Sequence, residues 1–182
     1  MTWLNTFLLF AAAFLAVFWE AAFQGVRHLL GAQIDLLPPL MVYAGMCAPL
    51  NTVCLLSFLA GLWFDSLSAN PLGISVLPLL LVGLAVYSNR ELILRDQTFA
   101  QIVLGLAASA AAPMLTLVLL LTTRHTPLIG WGTVWQLIVM TIGGALVTPA
   151  IFMLFDWLQR SLVHSKIAET SFRPDREIRR GR

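Results

Sequence analysis

Between Leu36 and Phe64 the chain carries no charged side chain. As one straight helix that stretch would measure about 45 Å, against a hydrocarbon core of about 30 Å. It must therefore bend. A turn signal lies inside it: Pro49 disfavours helical geometry at Ala48, and Asn51 is suited to cap a new start. The stretch is predicted to form two short spans, 36–48 and 51–65. Composition puts the rest of the chain in the same environment. Of 182 residues 59% are hydrophobic and only 11% charged, with a mean hydropathy of +0.84, whereas soluble domains are charged at about a quarter of positions. At about 20 residues per crossing the length accommodates about six spans, with no room for a soluble catalytic domain. The expected fold class is an all-α integral membrane protein.

The remaining spans follow from apolar runs and their breaks. The first is expected at 3–23, because Met1 to Ala22 lacks the basic start of a cleaved signal and its apolar run is too long for one. Trp3 and Trp19 sit near its ends, where amphipathic rings favour the membrane interface. The fourth is expected at 72–87, the fifth at 100–122 and the sixth at 134–158. Residues 1–160 thus form a six-helix domain, and 161–182 a basic tail. Two stretches of small side chains stand out, Gly105 with Ser109 in span five and Gly143 with Gly144 in span six. Small residues let helix backbones approach closely in lipid, so these two are expected to pack together. Pro113 and Pro149 are expected to kink their helices.

Polar residues are few enough to weigh singly. Glu20, in the last turn of span one, is expected to reach headgroups or water, with Arg27 and His28 close behind. Asp65 ends span three and is followed by Asn70, Pro71 and Gly73, residues that bend a backbone. That acid is expected to bond the turn's N–H groups, and Gly73 to take a backbone angle other residues resist. The spans otherwise contribute few polar groups beyond Ser57, Gln101, Ser109, Thr116, Gln136 and Thr141, too few to suggest a ligand cage. No Ser/His/Asp or metal-ligand spacing is present, and no histidine lies within a span. Cys47 and Cys54 sit in apolar surroundings that suit small hydrophobes rather than ligands or a bridge. No enzyme, cofactor or metal is expected. The short basic tail reads as a topology signal or a contact with anionic lipid, not as a nucleic-acid site.

With six spans both termini share a side. Arg90, Arg95, Arg160, Lys166, Arg173, Arg176, Arg179, Arg180 and Arg182 fall on it, nine basic residues, and only Arg27 and Arg124 fall opposite. The positive-inside rule predicts both termini in the cytoplasm and the Asp65 turn outside.

The order Phe58, Gly61, Asp65, Gly73, followed by a leucine-rich span, resembles the MreD family of bacterial rod-shape membrane proteins. The informative motif covers about residues 57–87; length and span count match over nearly the whole chain. The resemblance implies a six-span scaffold in the bacterial cytoplasmic membrane that binds the bitopic protein MreC and works beside RodA and a class B penicillin-binding protein. The sequence departs from the family pattern at Leu37-Pro38-Pro39-Leu40, where a proline followed by a polar or acidic residue is usual, and in its long arginine-rich tail. That family is similar in fold to the S components of energy-coupling-factor vitamin transporters, which supplies an alternative function. Ala12 and Ala16 in span one are similar to the small-residue face such subunits offer their partner.

Overall fold

The computed structural model describes residues 3–22, 31–68, 71–93, 97–122 and 130–167. Among them the chain is all helical: α1 (Trp3–Ala22), α2 (Leu37–Cys47), α3 (Leu50–Leu67), α4 (Val76–Asn89), α5 (Thr98–Thr122) and α6 (Trp131–Ile167). Four of these, α1, α3, α5 and α6, are long and apolar enough to cross a membrane. The other two are apolar but short, 11 residues in α2 and 14 in α4, or about 16 and 21 Å at 1.5 Å per residue. Of the two short spans expected at 36–48 and 51–65, the first is short, but the second is the 18-residue α3, long enough to cross.

The break within the uncharged stretch falls at Ala48 and Pro49. Ala48 is extended (φ −104°, ψ 158°), as the following proline requires, and Pro49 caps α3 with ψ 155°. The Thr52 and Val53 N–H groups then donate to the Pro49 carbonyl. Asn51 does not cap the helix as expected; it lies inside the first turn of α3 and is exposed. The proline itself, with its fixed φ, already holds the entry geometry.

The short helix α2 is the centre of the bundle. Every residue from Leu37 to Gly45 is buried, which a helix in lipid achieves only when other helices surround it. Its Tyr43 ring stacks on Phe155 (centroids 4.4 Å apart) and meets Phe152 edge-on at 5.0 Å. Tyr43 Oη also accepts from Gln159 Nε2 at 3.0 Å, and the same amide reaches Asn5 Oδ1 at 3.3 Å. The start of α1, the end of α2 and the far part of α6 therefore share one end of the molecule. Arg90, at the end of α4, lies with its guanidinium 4.3 Å from the centre of the Tyr87 ring. On the outer side of α1, Phe14 meets Trp63 of α3 edge-on at 5.5 Å.

Helix α6 does not end near Leu158 but continues to Ile167. Asp156, Trp157 and Arg160 mark the exit of the span expected at 134–158. Polar residues end a membrane crossing, however, without ending a helix, and the segment after Ser161 has no proline or glycine to stop it until well past Ile167. Residues 168–182, most of the predicted tail, lie outside the described residues.

Candidate functional site

At the other end of the bundle two carboxylates are buried, each at the start of a short helix. Asp65 is one, with 2% of its surface exposed. Its Oδ2 accepts from Gly73 N–H at 2.8 Å and Ser75 N–H at 3.0 Å, two amides immediately ahead of α4 whose carbonyl partners a helix start lacks. Gly73 takes φ +89°, a left-handed angle that L side chains resist. Four residues upstream of Asp65, Gly61 allows α3 to touch α4: a Cβ there would sit 2.8 Å from Val76 Cα. The acid thus clips the turn shut, and the glycines make the clip possible. Pro71 is exposed, Asn70 lies outside the described residues, and Phe58 is exposed on the outer face of α3.

Glu20 is the second buried acid, and here the structure corrects the expectation. Instead of reaching the membrane surface, its side chain turns inward, with 9% of its surface exposed. Its Oε1 accepts from the Leu36 N–H, while Asp35 Oδ1 accepts from the Leu37 N–H at 2.9 Å. Both acids therefore serve the start of α2, where a helix dipole favours negative charge. Asp35, half-buried beside them, has its pKa raised to about 6 by burial, against the lowering effect of the Leu37 hydrogen bond.

These acids line a cavity of about 310 Å³, at the lower end of the range for small-molecule sites. Its polar wall comes from Glu20, Gln33, Asp35, Ser68, Ser75, Thr116, Thr133 and Gln136, and its apolar wall includes Leu37, Phe64, Leu79, Leu117, Leu137 and Met140. The spans looked too poor in polar groups for such a site. Of the polar residues counted within them, only Thr116 and Gln136 reach it; the others in the wall come from helix ends and connections. Ser57 is turned to the Cys54 carbonyl, Thr141 to that of Leu137, and Gln101 and Ser109 are buried elsewhere. Among the described residues no three His, Cys, Asp or Glu side chains gather as a metal site. Cys47 and Cys54 form no disulfide among the described residues.

The small-residue stretches meet where α5 crosses α6. A Cβ on Gly105 would lie 2.7 Å from Thr148 Cβ and 2.8 Å from the Gly144 carbonyl, and one on Gly144 would overlap Ser109. Gly143 faces elsewhere: a Cβ there would sit 2.9 Å from Ile34 Cγ2, so the glycine leaves room for the segment that carries Gln33 and Asp35. Pro113 and Pro149 both lie within continuous helix. The neighbouring hydroxyls of Thr116 and Thr148 donate to the carbonyls of Ala112 and Gly144.

Nothing matches this chain in comparisons with protein-family models, with curated proteins or with solved structures.

Proposed function

We infer that the protein is a non-enzymatic scaffold of the bacterial cell-elongation machinery, which binds MreC within the cytoplasmic membrane and supports RodA and a class B penicillin-binding protein. One observation carries this reading. Three of the four residues behind the resemblance have work inside the chain: Gly61 seats α3 on α4, and Asp65 and Gly73 shape the turn between them. Phe58 has none. It is 51% exposed, beside Leu55 at 53%, on a face of α3 that also carries Asn51 and Cys54. A ridge of this kind, one helical turn apart, suits a partner's membrane helix. The nine-to-two division of basic residues supports a reading with both termini in the cytoplasm.

Co-expression with MreC and purification in mild detergent tests the reading. MreC is expected to co-purify with the wild-type chain, and Phe58→Ala with Leu55→Ala to reduce its recovery by about tenfold, the effect of losing about 1.4 kcal/mol of contact, at unchanged protein level. Undiminished recovery would place the partner on another face, and no recovery from the wild type would remove the reading. The cavity favours a second reading, the substrate-binding S component of an energy-coupling-factor vitamin transporter. That function requires an ATPase module as partner, and retention of such a module instead of MreC would select it.

A further inference from the structure

We propose that the cavity between the start of α2 and the facing walls of α5 and α6 binds a small organic cation, a primary amine with an apolar body, whose ammonium group is received by Glu20 and Asp35. The proposal does not depend on whether the protein is a scaffold or a solute carrier.

The start of α2 has too few N–H groups to satisfy the acids gathered on it. Leu36 and Leu37 each donate one, to Glu20 Oε1 and Asp35 Oδ1. The next two residues are Pro38 and Pro39, which have no N–H to give. Among the described residues Glu20 Oε2 is therefore left buried without a hydrogen-bond partner, in a residue nine-tenths buried that lines the cavity. Gln33 does not relieve it, because its amide nitrogen is turned to the Glu20 backbone carbonyl at 3.4 Å. Among the described residues, no Lys, Arg or His lines the cavity. A buried carboxylate oxygen without a donor is costly, and a donor carried in by a ligand removes that cost.

The geometry selects the kind of donor. An ammonium presents three N–H groups and no acceptor. Glu20 and Asp35 each have one oxygen not used by α2, and Thr116 supplies a third acceptor in the same cavity. Its hydroxyl proton is committed to the Ala112 carbonyl at 3.0 Å, which leaves the oxygen's lone pairs for a ligand. A hard metal ion fits less well, since it takes about six or more oxygens and two carboxylates with one oxygen each already engaged fall short. The volume also exceeds what an ion needs. Phe64, Leu117, Leu137 and Met140 give the remainder an apolar lining, suited to a hydrocarbon body behind the charge.

The test uses the full chain purified in detergent and follows its thermal unfolding with cyclohexylmethylamine or 2-phenylethylamine, each beside the alcohol of the same skeleton. Both amines are expected to raise the unfolding midpoint saturably, and the alcohols to leave it unchanged. Glu20→Gln keeps the acceptor for Leu36 but not the charge, and should weaken the amine response by about tenfold or more, the scale of one charge-assisted hydrogen bond. Should that variant not fold, Asp35→Asn and Thr116→Val carry the same test, with smaller weakening expected from the second. Equal responses to amine and alcohol, no response to either amine, or unchanged amine affinity in the variants would overturn the proposal. So would stabilisation by Ca²⁺ that the amines cannot displace, which would make the cavity a metal site.

Discussion

Gly144→Val is expected to remove nearly all folded protein from a detergent extract, the largest effect of any single substitution in the bundle. At this crossing the backbones of α5 and α6 approach until Ser109 occupies the space a Cβ at 144 would need, and the Gly105 carbonyl lies 3.3 Å from it. Overpacking usually costs about 1–3 kcal/mol when side chains can adjust. Here the obstacle is a residue fixed on the facing helix, so the helices themselves must part and the Gly105–Thr148 contact is lost with them. Ser109→Gly removes both obstructing atoms. Its combination with Gly144→Ala is therefore expected to restore the single, monodisperse species on size-exclusion chromatography that Gly144→Ala alone diminishes. A double variant no better than the single would mean that the crossing is not held at these two positions. Ser109→Ala should be neutral or mildly stabilising, because the hydroxyl is buried without a partner among the described residues.

Asp65→Ala is expected to cost about 3 kcal/mol, since the buried Ser75 N–H and the part-buried Gly73 N–H would each lose an acceptor at about 1–3 kcal/mol. Gly73→Ala should cost less, about 1 kcal/mol: nothing lies within 4 Å of an added Cβ, and only the φ of +89° resists it. The two variants are compared by thermal unfolding in the same detergent. A greater loss in Gly73→Ala than in Asp65→Ala would show that backbone geometry, not the carboxylate, holds the turn.

The helices were legible in the sequence because hydrophobic runs of bilayer length are long signals, and their breaks at Pro49, Asp65 and the Arg90 loop are chemically explicit. The Asp65–Gly73 turn was legible too, since acid, turn residues and glycine lie close together in the chain. The cavity was not. Glu20, Asp35, Thr116 and Gln136 come from four separate parts of the chain, and no spacing links them. Position near a helix end suggested that Glu20 meets solvent, but depth along a helix says nothing about which way a side chain faces. That depended on the 31–36 segment lying across the bundle beside Gly143, which supplied only a glycine as a clue. The far end of α6 was hidden for another reason: hydropathy detects where apolar sequence stops, and the helix goes on without it.

The burial of α2 has a consequence for the order in which the protein is made. A ribosome delivers α2 long before α6, yet Tyr43 finds its stacking partners only at Phe152 and Phe155, more than a hundred residues later. Too short to bridge the bilayer alone and apolar on every side, α2 enters the membrane with its final neighbours still unsynthesised. The wall around α2 is therefore complete only once the last helix is made, and a nascent chain stopped before Phe152 lacks the rings that stack on Tyr43.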